Sequence, residues 1–274
     1  MIIRPFHADD VALFLQLAAG ENWMADPWEF ESLLSRFPHG CFTAIADSGD
    51  SAGFVTSWRH ERSGWIGNLI VAEGYRRRGL GDKLFTTALE ALRAAGTETV
   101  WLTASASGQA LYEKHGFTAV DTIIRWTGRG RQRHAGHEER SDRCASGVSV
   151  SSIDHQAWGD RRDALLLATV ARGRLLLEES GFAVVQQWGE TLQIGPFSVL
   201  DDSTAESLLN DVLHTIPWGT EVCLDAPASN RSALRLFNRK KMRASGRNEL
   251  MYAGVKPAYR AEYLYGLATM GSCG

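Results

Sequence analysis

The sequence predicts a mixed α/β chain laid out twice on one plan. Three observations carry this: helix-like and strand-like apolar patterns alternate, a polar stretch without core residues divides the chain near its middle, and the order of elements before it returns after it. At 274 residues, 44% hydrophobic and 22% charged, the chain can fill one large core or two small ones.

Residues 2–4 form a short strand. Asp9 and Asp10 open an amphipathic helix to Ala19, with Val11, Phe14, Leu15 and Ala18 on one face. Asp26 and Pro27, a cap and a first-turn proline, start a second helix over 28–37. Apolar runs at 41–46, 52–59 and 65–71 read as strands, separated by turn residues at 48–50 and 61–64. A helix over 82–95, a strand over 100–102, a helix over 108–115 and a strand over 117–126 complete the first half.

The polar stretch occupies 128–147 and reads as a linker. Two sharper readings are a basic patch, diluted by Glu138, Glu139 and Asp142, and a metal site from His134, His137 and Cys144, which lacks a well-spaced fourth ligand. Beyond it, strands are expected at 148–153, 174–178, 182–188 and 191–200, helices at 159–170, 204–214 and 232–240, and extended chain at 222–224 and 248–253. One alignment tests the duplication: Ser105 pairs with Asn230, Leu111 with Leu236, Tyr112 with Phe237 and Phe117 with Met242. Domains are therefore expected at 1–127 and 148–274.

Composition removes several classes of function. A net charge of −3 argues against a nonspecific nucleic-acid binder. No run nears the roughly 18 apolar residues of a membrane helix, so no membrane partner is expected. The start, Met1-Ile2-Ile3-Arg4-Pro5, reads as neither signal nor transit peptide, which suggests a cytoplasmic protein. Four well-separated cysteines indicate neither a disulfide framework nor a local zinc site, and no resident metal is expected.

The chemistry concentrates in Ala72-Glu73-Gly74-Tyr75-Arg76-Arg77-Arg78-Gly79-Leu80-Gly81, between a strand and a helix. A glycine-rich turn feeding a helix start directs unpaired N–H groups and the positive end of the helix dipole at an anion, and three arginines add charge. A Walker A loop would need Lys and then Ser or Thr where Leu80-Gly81 stand. A dinucleotide fingerprint would need glycine at Leu84.

Arg76-x-x-Gly79-x-Gly81 resembles the coenzyme A pyrophosphate loop of the GNAT superfamily of acyl-CoA-dependent N-acyltransferases. Leu69-x-Val71 before the loop, a helix after it, and Leu111-Tyr112-Glu113-Lys114-His115-Gly116-Phe117 downstream follow the family's order. The resemblance covers residues 1–127. It implies a mixed, mostly antiparallel sheet flanked by helices and an acetyl-CoA-dependent N-acetyltransferase.

In such folds strand four splays from strand five, and backbone groups at its end hold the acyl thioester; here these belong to Leu69, Ile70 and Val71. The loop Arg76, Arg77, Arg78, Gly79, Leu80 and Gly81 would hold the pyrophosphate of acetyl-CoA. Tyr112 stands at the family's general acid and would protonate the leaving thiolate of coenzyme A. Ser105 replaces a frequent asparagine that holds the pantetheine arm, with shorter reach. Candidates for a base are Glu21, Asp26, Glu29 and Glu73, and Asn22, Trp23 and Trp28 could line the acceptor wall.

Residues 148–274 resemble the divergent second domain of tandem bacterial acetyltransferases. The cues are Trp158-Gly159-Asp160-Arg161-Arg162, Ile194-Gly195-Pro196 and Asn230-x-x-Ala233-x-x-Leu236-Phe237. Its loop position holds Asp201, Asp202 and Glu206 without glycine or arginine, and Phe237 replaces the tyrosine. A non-catalytic copy that packs as an internal pseudo-dimer partner or completes the acceptor site is expected. The partner is expected to be a small-molecule or peptide amine, and the chain a monomer or homodimer; an acyl-CoA-binding sensor without turnover is the alternative function.

Overall fold

The computed structural model describes residues 1–132 and 149–274. The candidate ligands His134, His137 and Cys144 lie outside the described residues. The first half runs β1 (Ile2–Pro5), α1 (Val11–Gly20), α2 (Pro27–Arg36), β2 (Phe42–Ile45), β3 (Ser51–Arg59), β4 (Ser63–Val71), α3 (Leu80–Ala94), β5 (Thr99–Ala104), α4 (Gln109–Lys114) and β6 (Thr118–Arg129). The second runs α5 (Val150–Trp158), α6 (Asp163–Arg172), β7 (Arg174–Glu178), β8 (Gly181–Trp188), β9 (Thr191–Val199), α7 (Asp202–Thr215), β10 (Glu221–Pro227), α8 (Arg231–Arg239), β11 (Arg243–Gly254) and β12 (Leu264–Gly266).

The strand expected at 148–153 is a helix. Ser149 caps it by accepting from the Ser152 N–H, and Ile153, Ala157 and Trp158 are buried at helical spacing. In so short a segment Val148 and Val150 alternate as in a strand while Val150 and Ile153 stand three apart as on one helix face, and the cap decides the matter. With α5 in place, the second half repeats the first without β1: two helices, three strands, helix, strand, helix, strand.

The chain forms two compact units. One is Met1–Thr118 with Met251–Lys256 and Gly271–Gly274; the other is Ala119–Leu250 with Pro257–Met270. This partition cuts nine residues earlier than a boundary at 127, because β6 pairs with β10 (Trp126 opposite Leu224) and buries Trp126 among Leu213, Ile216 and Phe237. Met251 and Ala253 near the end of β11 lie in the core of the first unit.

In the first unit β1 to β4 form an antiparallel array, with Ile3 opposite Ala44, Thr43 opposite Phe54 and Trp58 opposite Trp65. Leu80, Leu84, Phe85, Ala88, Leu89 and Leu92 of α3 recur at helical spacing and cover one face. On the other face Phe6, Phe14, Phe30 and Phe54 interlock with centroids 4.8–6.0 Å apart, which fixes α1 and α2 on β3. Asp10 ties α1 to the strands. Burial alone would push its carboxyl up, but bonds from Arg4, the His7 N–H and Thr43 outweigh that and hold it below the ordinary carboxylate range.

In the second unit the Trp158–Arg162 cue resolves into a buried ion pair. Arg162 grips Asp154 through two bonds of 3.0 and 2.7 Å, both side chains are fully buried, and the guanidinium lies 4.2 Å from the Trp158 ring. Asp154→Asn removes the charge that receives both of these bonds from Arg162. The expected cost is about 3–5 kcal/mol, read as a lower denaturant midpoint for the second unit's transition. An unchanged midpoint would show that the pair carries no stability.

Candidate functional site

In the first unit β4 pairs in parallel with β5 only from Ser63 opposite Thr99 to Trp65 opposite Trp101. Beyond that point the strands part. A β-bulge lies in the same stretch: Phe54 faces Ile70 and Thr56 faces Gly67, so Val55 stands against both Asn68 and Leu69. Asn68 takes the extra residue's left-handed conformation (φ +55°), which asparagine tolerates better than most side chains. The bulge resets the alternation, so Ile66, Leu69 and Val71 all pack on the α3 side. The end of β4 thus stays paired with β3 through Ile70 and Val71 but has parted from β5, with Leu69 and Val71 partly exposed and Ile70 buried.

Sequence reasoning misses Asn68. It is 93% buried, since its relative exposure is 7%, and its Nδ2 has no partner among the described residues. The available signal is a lone asparagine inside the apolar run Trp65–Val71.

The loop after β4 leads into α3 with Gly79 as N-cap in the left-handed region (φ +75°) and no side chain capping the helix. Among the described residues no partner is found for the N–H groups of Gly79, Leu80, Gly81 and Asp82; the Gly79 carbonyl accepts from Lys83. A helix start of this kind is an anion site only in company. Here Arg77 (φ +59°) and Arg78 are exposed beside it, Arg78 lying 6.0 Å from the Tyr75 ring.

Arg76 does something different from its neighbours. Its Nε donates to the Val71 carbonyl at 2.8 Å and its guanidinium pairs with Glu21, so it braces the end of β4 and the segment after α1.

That pairing bears on the candidate bases. Glu21 is engaged by Arg76, and Asp26 and Glu29 cap α2: Asp26 accepts from the Trp28 N–H, and Glu29 accepts from the Asp26 N–H. Glu73 is an exposed first-turn residue of a 3-10 turn. Asn22 adopts φ +57°, Trp23 is exposed and Trp28 half-buried on the α1–α2 segment.

Tyr112 lies on α4 with its ring 5.0 Å from Phe85 and 6.3 Å from Phe117. Desolvation pushes its phenol up to about 12, so the hydroxyl stays protonated, and no partner for it is found among the described residues. Ser105 is exposed, and its hydroxyl shares a 3.0 Å bond with Ser107. α3 and α4 are joined by Lys114 and His115 on Asp82, at 2.9 and 2.6 Å; these bonds, His115 first, hold the Asp82 carboxyl below the usual range. The second unit repeats the triad with Arg239 and Lys240 on Glu206.

The corresponding places in the second unit are filled by the chain itself. Asp201 caps α7, accepting from the Thr204 N–H and from the hydroxyls of Ser180, Ser203 and Thr204; burial opposes its charge, but these bonds hold its carboxyl well below the usual range. Asp202 accepts from Ser232 and from the Tyr265 hydroxyl at 2.7 and 2.8 Å. The helix start therefore carries its own anions.

β9 and β10 pair only at Leu192–Val222 and Gln193–Cys223, and the gap beyond is taken by the C-terminal segment. β12 pairs with β9 (Leu264 opposite Ser198), and the Leu267 N–H donates to the Asp225 carbonyl at 2.8 Å. Asn230, which aligns with Ser105, is occupied here: Oδ1 accepts from the Ala233 N–H, and Nδ2 donates to the Glu262 and Leu264 carbonyls. Phe237 is fully buried against Trp126 and Tyr265.

Among the described residues no group of histidine, cysteine and carboxylate side chains could hold a metal ion, and no helix is long and apolar enough to cross a membrane.

Comparison with known proteins meets this geometry at both ends of the chain. The acetyltransferase (GNAT) family model matches residues 12–117, and an acetyltransferase (GNAT) domain model matches residues 150–266. A putative acetyltransferase from Pyrococcus horikoshii has a similar structure, with TM-score 0.83 and 26% identity over 99% of this chain and 95% of that one. A GCN5-related N-acetyltransferase from Sphaerobacter thermophilus shares the fold at TM-score 0.63 and 18% identity, covering 94% and 98%. The N-alpha-acetyltransferase MAK3 of Arabidopsis thaliana is 26% identical over 130 residues, 44% of this chain and 68% of the relative. The chloroplastic GCN5-related N-acetyltransferase 6 of the same plant is 38% identical over 64 residues, so the chain covers only 22% of that relative's length. The two family matches together take in both halves, and the chain belongs to the GNAT family of acetyl-CoA-dependent N-acetyltransferases, with two GNAT domains in tandem.

Proposed function

We propose that the chain moves the acetyl group of acetyl-CoA to a primary amine by direct attack in a ternary complex, with the active site in the first unit. The observation that carries this is the contrast between the helix starts. At α3 a glycine cap leaves the N–H groups of 79–82 without a partner among the described residues, beside Arg77 and Arg78, whereas at α7 the Asp201 carboxylate accepts from the Thr204 N–H and sets its own negative charge at the helix start. The uncapped start and the splayed end of β4 suit a ligand with a polyphosphate and an extended amide-bearing arm.

Acetyl-CoA supplies the activated acyl group. Leu69, Ile70 and Val71 present the β5-facing edge of β4 where the two strands have parted, and an N–H there binds the developing oxyanion. As the acyl carbon gains its bond to nitrogen and loses its bond to sulfur, Tyr112 gives its phenolic proton to the departing thiolate, and the proton that the amine nitrogen sheds returns through water to restore the phenol. Arg76 keeps the strand end in place through the Val71 carbonyl. The second unit, with its gap filled and its helix capped, binds no coenzyme A.

With Glu21 paired, Asp26 and Glu29 occupied as caps and Glu73 exposed to solvent, the acceptor enters as the neutral amine, its proton lost to water beforehand. kcat/KM for the acceptor then rises with pH toward the amine's own pKa, near 10 for an alkylamine, without an earlier plateau. Tyr112, pushed up to about 12, imposes no fall over that range. A plateau well below the amine's pKa would instead expose a protein base.

The test of the function is thiol release from acetyl-CoA across small amines, amino acids, aminoglycosides and peptides. A peptide α-amine belongs in the panel because of the MAK3 likeness. Binding of coenzyme A without turnover of any amine would leave a sensor in place of an enzyme.

A further inference from the structure

Gly67 of β4 is bare for a definite reason. A Cβ at that position would run into the Gly271 carbonyl and stand 2.7 Å from the Ser272 Cα, so only glycine admits the C-terminal segment at this distance. Ser272 and Cys273 are buried there, at 3% and 2% exposure. The face is known from the alternation along β4. Ile66 packs in the core beneath α3, so Trp65 and Gly67 point to the opposite face, the one that α1 and α2 cover. A Cβ built on Gly274 likewise meets the Trp65 ring.

Gly67 also sits immediately before the bulge at Asn68 and Leu69. At roughly 3.3 Å per residue, Leu69 is only about 7 Å farther along the strand. A segment lying on Gly67 therefore borders the thioester position on the side from which an acceptor reaches it past the α1–α2 segment.

We infer that residues 271–273 form a wall of the acceptor site and confine it to slender, unbranched primary amines at the reacting end. This rests on the placement of the thioester at Leu69–Val71 proposed above. The wall is anchored from outside the site, because the same segment is fixed just upstream by β12 on β9 and by Gln186 donating to the Ala268 carbonyl at 3.0 Å.

The experiment needs no turnover. Two thioethers of coenzyme A are prepared, one with an aminopropyl group on sulfur and one with a branched aromatic amine of similar charge, and their affinities are measured by calorimetry beside that of free coenzyme A. The native chain should bind the slender probe about tenfold or more tightly than the bulky one. A chain ended at Met270 should lose that preference while its affinity for free coenzyme A stays the same.

Gly67→Ala is the second variant, for use if the shortened chain fails to fold. It displaces the segment without touching Leu69–Val71, and new alkylation of Cys273 reports that the displacement has occurred. An unchanged preference once the segment is removed or displaced overturns the inference. Failure of the native chain to bind free coenzyme A would instead overturn the placement of the donor site.

Discussion

Tyr112→Phe lowers kcat for acetyl transfer by about 10²–10⁴-fold and leaves the Kd of coenzyme A unchanged. The separation follows from what the side chain touches. Its ring packs on Phe85 and Phe117, contacts that phenylalanine keeps, and among the described residues its hydroxyl has no partner whose loss could disturb the fold. The second copy has phenylalanine at the matching position, Phe237, fully buried in a well-packed helix, so the substitution is one this fold already accommodates.

The phenol's elevated value looks unfavourable for an acid, but the desolvation that raises it also raises a thiolate formed in the same surroundings, which narrows the difference between donor and acceptor. An acetyl thioester of a more acidic thiol should therefore lose less on the substitution than acetyl-CoA does. Turnover equal to the native chain's across the amine panel would remove Tyr112 from the mechanism.

Why some of this is legible in the sequence, and some not, has physical causes. Caps and periodic apolar residues are local signals. Asp26-Pro27 places the start of α2, and the buried positions of α3 mark one face over the helix's whole length. α5 is easily mistaken for a strand because the apolar residues of a short segment fit two periods, and a single serine, Ser149, carries the cap that separates them.

The loop motif announces an anion site through glycine and arginine, yet the brace made by Arg76 and Glu21 joins residues far apart in the sequence, which no local pattern encodes. The same holds for the C-terminal segment. Leu264–Gly266 and Gly271–Cys273 carry no motif, and only the folded chain places them on β9 and beside Gly67. Asn230 shows the limit of reading residue by residue, since a side chain aligned with Ser105, a candidate for holding the cofactor, bonds instead to the peptide that fills the gap.

Gly79→Asp combined with Arg76→Glu abolishes coenzyme A binding by the whole chain. Gly79→Asp gives α3 the kind of N-cap that Asp201 gives α7: a carboxylate that accepts from the unpaired N–H groups and puts negative charge where the polyphosphate would lie. There is room for it, because a Cβ on Gly79 meets nothing within 4 Å; the strain comes from the left-handed φ, at about 1 kcal/mol, which a cap bond offsets. Arg76→Glu releases the Val71 carbonyl and sets a second carboxylate near Glu21, so the end of β4 and the loop lose their brace together.

Charge and strain are separable. Gly79→Ala carries the strain without the charge and should weaken binding far less than Gly79→Asp does. If the effect is electrostatic, the loss in Gly79→Asp alone should shrink as salt is raised. Calorimetry of the double variant decides between the two units: no binding confines the cofactor to the first, whereas one equivalent of residual binding would mean that the second unit opens its gap, with β12 leaving β9 to admit the ligand.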